Sequence, residues 1–500
     1  MLHNGGDMNN TDQVRRKFLY GMLGTLAAPG LGIPAFAESG LRMRTEWQQF
    51  KLGPQYNAFL NAMTALRKNT KASSAGSLKY WTNVHINYCP HGTPYFLSWH
   101  RGYLYHFERQ LRTLSGDPSL NLPYWDYYSH PTIPAEFTDP APSNPLYLAR
   151  TGSDVYNALS LWPFAPEVFN FERGTANGFE ERIETIPHNP VHDLIGGIMS
   201  TMQSPLDPIF FLHHANIDRL THAWALPDGK GIPYSANPYS STNSSAYWAG
   251  ENVYASKLKL ARYLTLDPNW LGYDYANVTV PGALPSQASG TARAATRRQQ
   301  TTRRPPDKPF ERTPGRTIST TRRSLGGAAR LGFDEASFSI PLTFGRKDAL
   351  ELAALVARLR AGRPRDDARA PASAKLVIDR PTLSGAGSAG GYFYALYLDM
   401  PPALDSRFAD HPTFLGTMGA FQVASASHHG PARQEFDLAA VMLGHDSDDF
   451  SRLSLSWVRV DGDRPPRGQT ISVAEARVEL SYEAEPAETP RMQGRPGWYA

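Results

Sequence analysis

The sequence predicts an α+β protein of two domains: a mainly α-helical domain around a four-helix bundle, followed by a β-sandwich. Three observations carry this. In the first half, apolar residues and histidines recur at helical spacing, as at His188 and His192, four apart. Between residues 283 and 332 the composition turns to Arg, Thr, Ser, Pro and Gly, with pairs at Arg297-Arg298, Arg303-Arg304 and Arg322-Arg323. Beyond that stretch, apolar and polar residues alternate at period two. At 500 residues, 41% hydrophobic and 19% charged, the chain can fill two sizeable cores.

Taken in order, residues 1–37 read as a leader. Arg15-Arg16-Lys17-Phe18-Leu19 opens a short apolar run, and Ala35-Phe36-Ala37 supplies a small-x-small cleavage site. The twin arginine resembles a Tat signal, which implies the Tat export machinery as a partner and a periplasmic or secreted location in a bacterium. Residues 38–282 form the helix-rich domain. Trp47 to Lys68 and Phe96 to Leu114 read as amphipathic helices, and Asp207-Pro208 reads as the start of a third. Residues 283–332 bury too little apolar surface to offset their ordering entropy and read as a flexible linker. Residues 333–485 form the β-rich domain. Its strands are expected at Phe338–Phe344, Lys375–Asp379, Tyr392–Leu398, Arg452–Trp457 and Ala476–Tyr482, its one helix at Asp348–Ala361. Residues 486–500 are a tail.

The net charge of +4 owes much to the arginine-rich stretch, so nucleic acid is not an expected partner. Outside the leader no segment is long and apolar enough to span a membrane, and stable membrane insertion is not expected. A single cysteine excludes an internal disulfide, so Cys89 is kept for another reason.

The chemistry lies in two clusters. The first, WTNVHINYCPHGTPYFLSWHRGYL, holds His85, Cys89, His91 and His100; the second holds His188 and His192, followed by His213 and His214. His188 and His192 sit one helical turn apart and can share a metal. Their third ligand must come from a distant element. Adjacent helical residues diverge by about 100°, so one of His213 and His214 faces it. His100 lies on a helix, while His85 and His91 flank a Pro-Gly loop that can wrap back. Three neutral imidazoles tolerate both copper oxidation states, so two such triads suit a copper pair working with dioxygen; a catalytic zinc site has the same spacing. His106 and His222 fall outside the pattern and read as structural or exposed.

The segments HGTPYFLSWHR and DPIFFLHHANIDR resemble the two copper signatures of the tyrosinase and polyphenol oxidase family, whose members are type 3 copper proteins related in site to hemocyanins. Tyr273-Asp-Tyr275 resembles the motif closing that family's catalytic domain, and the domain order resembles latent plant enzymes and a two-domain bacterial branch. The resemblance implies two copper ions, the first on His85, His91 and His100, the second on His188, His192 and His214, with His213 turned away. It implies a thioether between Cys89 and His91; the plainer reading of Cys89 is a small buried thiol. Glu184 and Asn189 match a carboxylate and amide that hold a water near the metals, where it can accept a phenol's proton. Glu184 could instead cap or salt-bridge the ligand helix, as Glu180 and Glu181 are expected to. Thr201 and Phe210 are assigned to the substrate pocket together with Asp193, an acid at the entrance or one paired with an arginine. Asp218 orients a ligand or holds Arg219.

The expected function is therefore copper-dependent ortho-hydroxylation of monophenols and oxidation of o-diphenols to o-quinones with dioxygen. The alternatives are a catechol or o-aminophenol oxidase lacking the first activity, and a hemocyanin-like oxygen carrier. The partners are a small phenol and dioxygen, a homo-oligomer being compatible with the sequence. The β-rich domain is expected as a lid over the copper entrance, and His428-His429 as an exposed loop.

Overall fold

The computed structural model describes residues 41–483 apart from breaks at 175–176, 226–245, 286–302, 305–309, 364, 400–408, 410, 429 and 446–448. The leader and the tail lie outside the described residues. Among those described, no helix is long and apolar enough to cross a membrane.

The first half is a helical core. Strand β1 (Arg42–Arg44) is followed by α1 (Trp47–Phe50), α2 (Tyr56–Lys68), α3 (Leu78–Tyr88) and α4 (Phe96–Ser115). Then come α5 (Phe179–Ile183), a wide turn over Glu184–His188, α6 (Asn189–Ile195) and α7 (Ile209–Ala225). A hairpin, β2 (Glu251–Ala255) and β3 (Leu258–Ala261), precedes β4 (Tyr273–Tyr275), which pairs in parallel with β1 and closes the domain. The single helix expected over Trp47–Lys68 is two, because Gly53-Pro54 interrupts it and a proline ring cannot follow a helical carbonyl four residues back. Helix α7 starts as its sequence demands: Asp207 Oδ1 accepts the Ile209 N–H at 3.0 Å. Helix α4 ends at Gly116, whose φ of 72° is the left-handed conformation a helix stop requires.

The second half is β-rich. Two strands of the expected linker are structural: β6 (Glu311–Thr317) and β7 (Arg322–Phe333), after the short β5 (Arg303–Arg304). The reading of 283–332 as linker throughout is therefore corrected. Its arginines are neutralised strand by strand, Arg316 on Glu475, Arg322 on Glu435 and Glu479, and Arg323 on Asp348 and Glu351. Composition alone could not reveal those partners, which lie far along the chain. There follow β8 (Ser337–Thr343), α8 (Arg346–Arg360), β9 (Ser373–Asp379), β10 (Thr382–Leu383), β11 (Tyr392–Leu398) and β12 (Phe414–Gly419). The chain continues through α9 (Ala420–His428), β13 (Arg433–Asp437), α10 (Leu438–Leu443), β14 (Arg452–Asp461) and β15 (Ile471–Ser481). One sheet has the order β13-β9-β15-β7-β6 with β10 beside β15, the other β12-β11-β14-β8-β5. Helices α9 and α10 escaped the sequence reading because each is too short to show a period.

Strand β11 explains how the halves join. Its seven residues are all buried, and the pleat sends alternate side chains to different cores. Tyr392, Tyr394, Leu396 and Leu398 enter the core between the sheets, whereas Phe393, Ala395 and Tyr397 enter the helical domain's core with Phe414, Val458 and Val460. At about 1.5–3 kcal/mol for each large apolar side chain buried, this interface holds the halves together far more firmly than a tether would.

Candidate metal centre

Each cluster gathers on a pair of helices. His85 closes the last turn of α3, Cys89 caps that helix, and a loop turning at Gly92 leads to His100 in the second turn of α4. The start of α4 is capped from outside: Glu180 Oε1 accepts the Leu97 N–H at 3.0 Å and the Tyr247 hydroxyl at 2.6 Å. His188 and His192 flank the start of α6, and His213 and His214 lie on α7.

The ring nitrogens are sorted by their partners. His85 Nδ1 lies 3.0 Å from the Met202 carbonyl, His100 Nδ1 2.8 Å from that of Phe96, and His192 Nδ1 2.8 Å from that of Met199. His188 Nδ1 lies 2.9 Å from Asn189 Oδ1. An oxygen acceptor at Nδ1 fixes the proton there and leaves Nε2 with its lone pair. In the second cluster His214 Nε2 is 3.3 Å from His188 Nε2 and 3.4 Å from His192 Nε2. The lone pairs of His188 and His192 thus point at His214 Nε2, whose own proton no Nδ1 acceptor fixes among the described residues, and a cation among the three nitrogens would be held by all of them. Burial pushes the pKa values of His100, His188 and His214 well down and that of His192 to about 3, so these rings stay neutral. Both groups have the donor atoms and the enclosure of a metal site, and the imidazole-only second set fits copper.

The lone cysteine stands among the first set. Cys89 Sγ is 3.3 Å from His91 Nδ1 and 3.6 Å from its Nε2, so it faces the ring edge where Cε1 lies between them; it is also 3.3 Å from His100 Nε2. His213 is not turned away as the resemblance implied: it lies beside His188 and His192, ring centroids 5.2 and 4.9 Å away, within reach of the same metal position, and both its ring nitrogens are buried and lack a hydrogen-bond partner among the described residues. Phe210 is wedged between His85 and His214, at 5.2 and 4.2 Å, and packs the clusters together. Phe96, which the sequence reading passed over, sits between His100 and His188 at 4.5 and 4.7 Å.

Glu184 is buried and bridges the clusters. Its Oε1 accepts the N–H of Gly92, next to His91, at 2.7 Å, and its Oε2 accepts from Arg173 at 2.5 Å. Burial pushes its pKa up to about 7 against the pull of Arg173. Both readings of Glu184 thus have a basis, since a salt-bridged carboxylate keeps lone pairs for a water. Thr201 is half-buried, its hydroxyl turned to the Ile198 carbonyl at 2.9 Å. Asp218 does neither thing expected of it. It accepts from Arg101, Arg44, Tyr273 and Tyr275, so it joins α7 to α4 and to the closing Tyr-Asp-Tyr strand, while Arg219 pairs with Asp126. His222 pairs with Asp274, and His106 is packed against Tyr254.

Asp193 also departs from expectation. It is fully buried and lies at no open entrance, because the β-rich half covers it. Its Oδ1 accepts the Phe421 N–H at 2.7 Å, and its carbonyl accepts from Gly391 at 2.6 Å. Burial pushes its carboxyl well above the usual range, countered by hydrogen bonds from the Phe421 and Ala420 backbone. A Cβ at Gly419 would fall 1.9 Å from Asp193 Oδ2, so only glycine fits there. Phe421 itself stacks on His192 at 4.0 Å and 12°, with ring-edge contacts to His91 at 5.1 Å and His188 at 5.7 Å. No local feature of the sequence marks Phe421. His428, at the end of the same helix, touches the Ile86 carbonyl; His429 lies outside the described residues.

A model of the common central domain of tyrosinase matches residues 55–164 and 143–226. Over 184 residues the chain is 34% identical to a tyrosinase of Hahella sp., covering 29% of this chain and 40% of that one. It is 28% identical to chloroplastic polyphenol oxidase B of Solanum lycopersicum over 291 residues, 45% of this chain and 48% of that one. It is 29% identical over 231 residues to a hemocyanin of Enteroctopus dofleini, 39% of this chain and 18% of that one. The chain thus spans less than half the length of these relatives. Both histidine clusters lie inside the matched segment, so residues 55–226 of this chain form a central domain of the tyrosinase type.

Proposed function

We propose that this chain is a copper-dependent phenol oxidase that hydroxylates monophenols at the ortho position and oxidises o-diphenols to o-quinones with dioxygen. The observation that carries this is the pair of buried histidine clusters, with Nε2 atoms converging in the second at 3.3 and 3.4 Å. His85, His91 and His100 would hold one copper, and His188, His192 and His214 the other. When bound, the copper pair supplies the electron transfer to dioxygen. The chain's own residues do the rest. The apolar rings of Phe96 and Phe210 exclude water, and Glu184 with Asn189 holds a water that takes the phenol's proton. A thioether from Cys89 to His91 would fix that ring before metal arrives.

The β-rich half acts as a lid, with the Phe421 ring occupying the face of His192 where a phenol would lie. Because the halves share the apolar contacts of β11 and β14, a cut between residues 286 and 302 does not by itself release the lid. The leader sends the chain through the Tat route to the periplasm or beyond.

The test uses full-length chain loaded with copper, intact and as Phe421→Ala, with tyramine and catechol as substrates. Ortho-hydroxylation of tyramine supports the full reading, and oxidation of catechol alone demotes it to a catechol oxidase. Reversible oxygen binding without turnover of either, in the opened variant, indicates a carrier of the kind the hemocyanin relative suggests.

A further inference from the structure

The plug has the shape of a ligand. In phenylalanine the backbone nitrogen stands two carbons from the ring, the skeleton of an arylethylamine. In the closed chain the Phe421 ring lies flat on His192 at 4.0 Å, and its nitrogen donates to Asp193 Oδ1 at 2.7 Å. The second oxygen, Oδ2, is buried and has no hydrogen-bond partner among the described residues. Asp193 follows His192 directly on α6, so the acceptor and the stacking face belong to one rigid turn. We infer that Asp193 is a specificity residue selecting phenols that carry an ammonium group two carbons from the ring, over neutral phenols and against phenolic carboxylates.

This rests on the phenol-oxidase reading and on the phenol taking the place of the Phe421 ring. An ammonium in place of the peptide N–H makes a charge-assisted hydrogen bond, roughly twice as strong as a neutral one, and can reach Oδ2 as well. A carboxylate at the same distance from the ring brings no donor to either Asp193 oxygen, which discriminates against it.

Phe421→Pro vacates both positions in the full-length chain. It removes the ring and the N–H together, and proline is tolerated in the first turn of a helix, where residue 421 lies in α9. Gly419→Ala, whose methyl displaces the lid from Asp193, serves if the first variant does not fold. On the metal-free opened chain, calorimetry should find phenethylamine binding at least about tenfold more tightly than phenylpropionate, with Asp193→Asn in the same background removing most of the difference. On the copper-loaded opened chain, kcat/KM should fall in the order dopamine, ethylcatechol, dihydrocaffeate. The first step should be about tenfold, carried by KM, and lost on Asp193→Asn. Equal or better use of the carboxylates, or ratios that survive Asp193→Asn, overturn the inference. If no catechol is oxidised while phenethylamine still binds through Asp193, the oxidase reading fails and the amine site stands.

Discussion

The two histidine clusters are assembled by different means. In the second, ring orientation comes from close at hand: His192 leans on the Met199 carbonyl seven residues on and His188 on the amide of Asn189, and the Nε2 atoms already converge with His214. In the first, only His100 is held locally, on the Phe96 carbonyl four residues back, and the other determinants come from far away. His85 is held by Met202, 117 residues distant, and the loop of His91 by Glu184, 92 residues from Gly92. The second cluster is thus preorganised by one helix, a turn and α7, while the first needs the rest of the domain in place. Cys89 lies in the cluster with the weaker local support, where the proposed thioether would add most.

The largest expected effect erases the comparison by damaging both clusters. Asp218→Ala strips the carboxylate that joins Arg101, one residue after His100, to the helix of His214, and leaves Arg44 and Arg101 buried with too little negative charge. Loss of one partner of a buried ion pair costs about 3–5 kcal/mol. Thermal unfolding should show a large drop in Tm, with copper content falling at both sites. An unchanged Tm would mean the network is not structural.

Next comes the group that spans the clusters. The Glu184 carboxyl has an ordinary pKa of 4.5 and is pushed to about 7, mainly by burial. A base must be ionised to work, so monophenol oxidation should fall as pH drops through that value, or through a lower one once bound copper adds its charge. Arg173→Gln removes the cation that favours ionisation, so the acid limb should move to higher pH, while Glu184→Gln should abolish it. A limb that stays put in both variants assigns Glu184 to structure alone.

The smallest effect falls on the first cluster only. Cys89→Ser should leave the fold and metal binding at the second site intact and slow loading of the first site by about tenfold, the lower end of the range for groups that orient a ligand. Peptide mass analysis of the parent chain, with and without copper, would reveal a link between Cys89 and His91. Equal loading of both sites in Cys89→Ser would remove the asymmetry.

Much of the site was legible because its chemistry is written at short range. Histidine spacing, the Cys-Pro-His tripeptide and the helix start at Asp207-Pro208 all lie within a few residues, and periodicity found β8, β9, β11, β14 and β15. The cover over Asp193 was not legible, since burial under a second domain leaves no trace around it in the sequence. The arginine-rich segment was read too broadly as linker because a charged strand looks like a solvated tether until its acidic partners are seen.

The sequence by itself determined the histidine clusters, their grouping into two sets, the resemblance to tyrosinases and the change from helical to β-rich structure, because each rests on residue identity or local period. Only the tertiary structure decided that Phe421 lies on His192 and that Asp193 receives its N–H across 228 residues. Contacts at such separations are set by how two apolar cores close on one another, and no local pattern of residues encodes that closure.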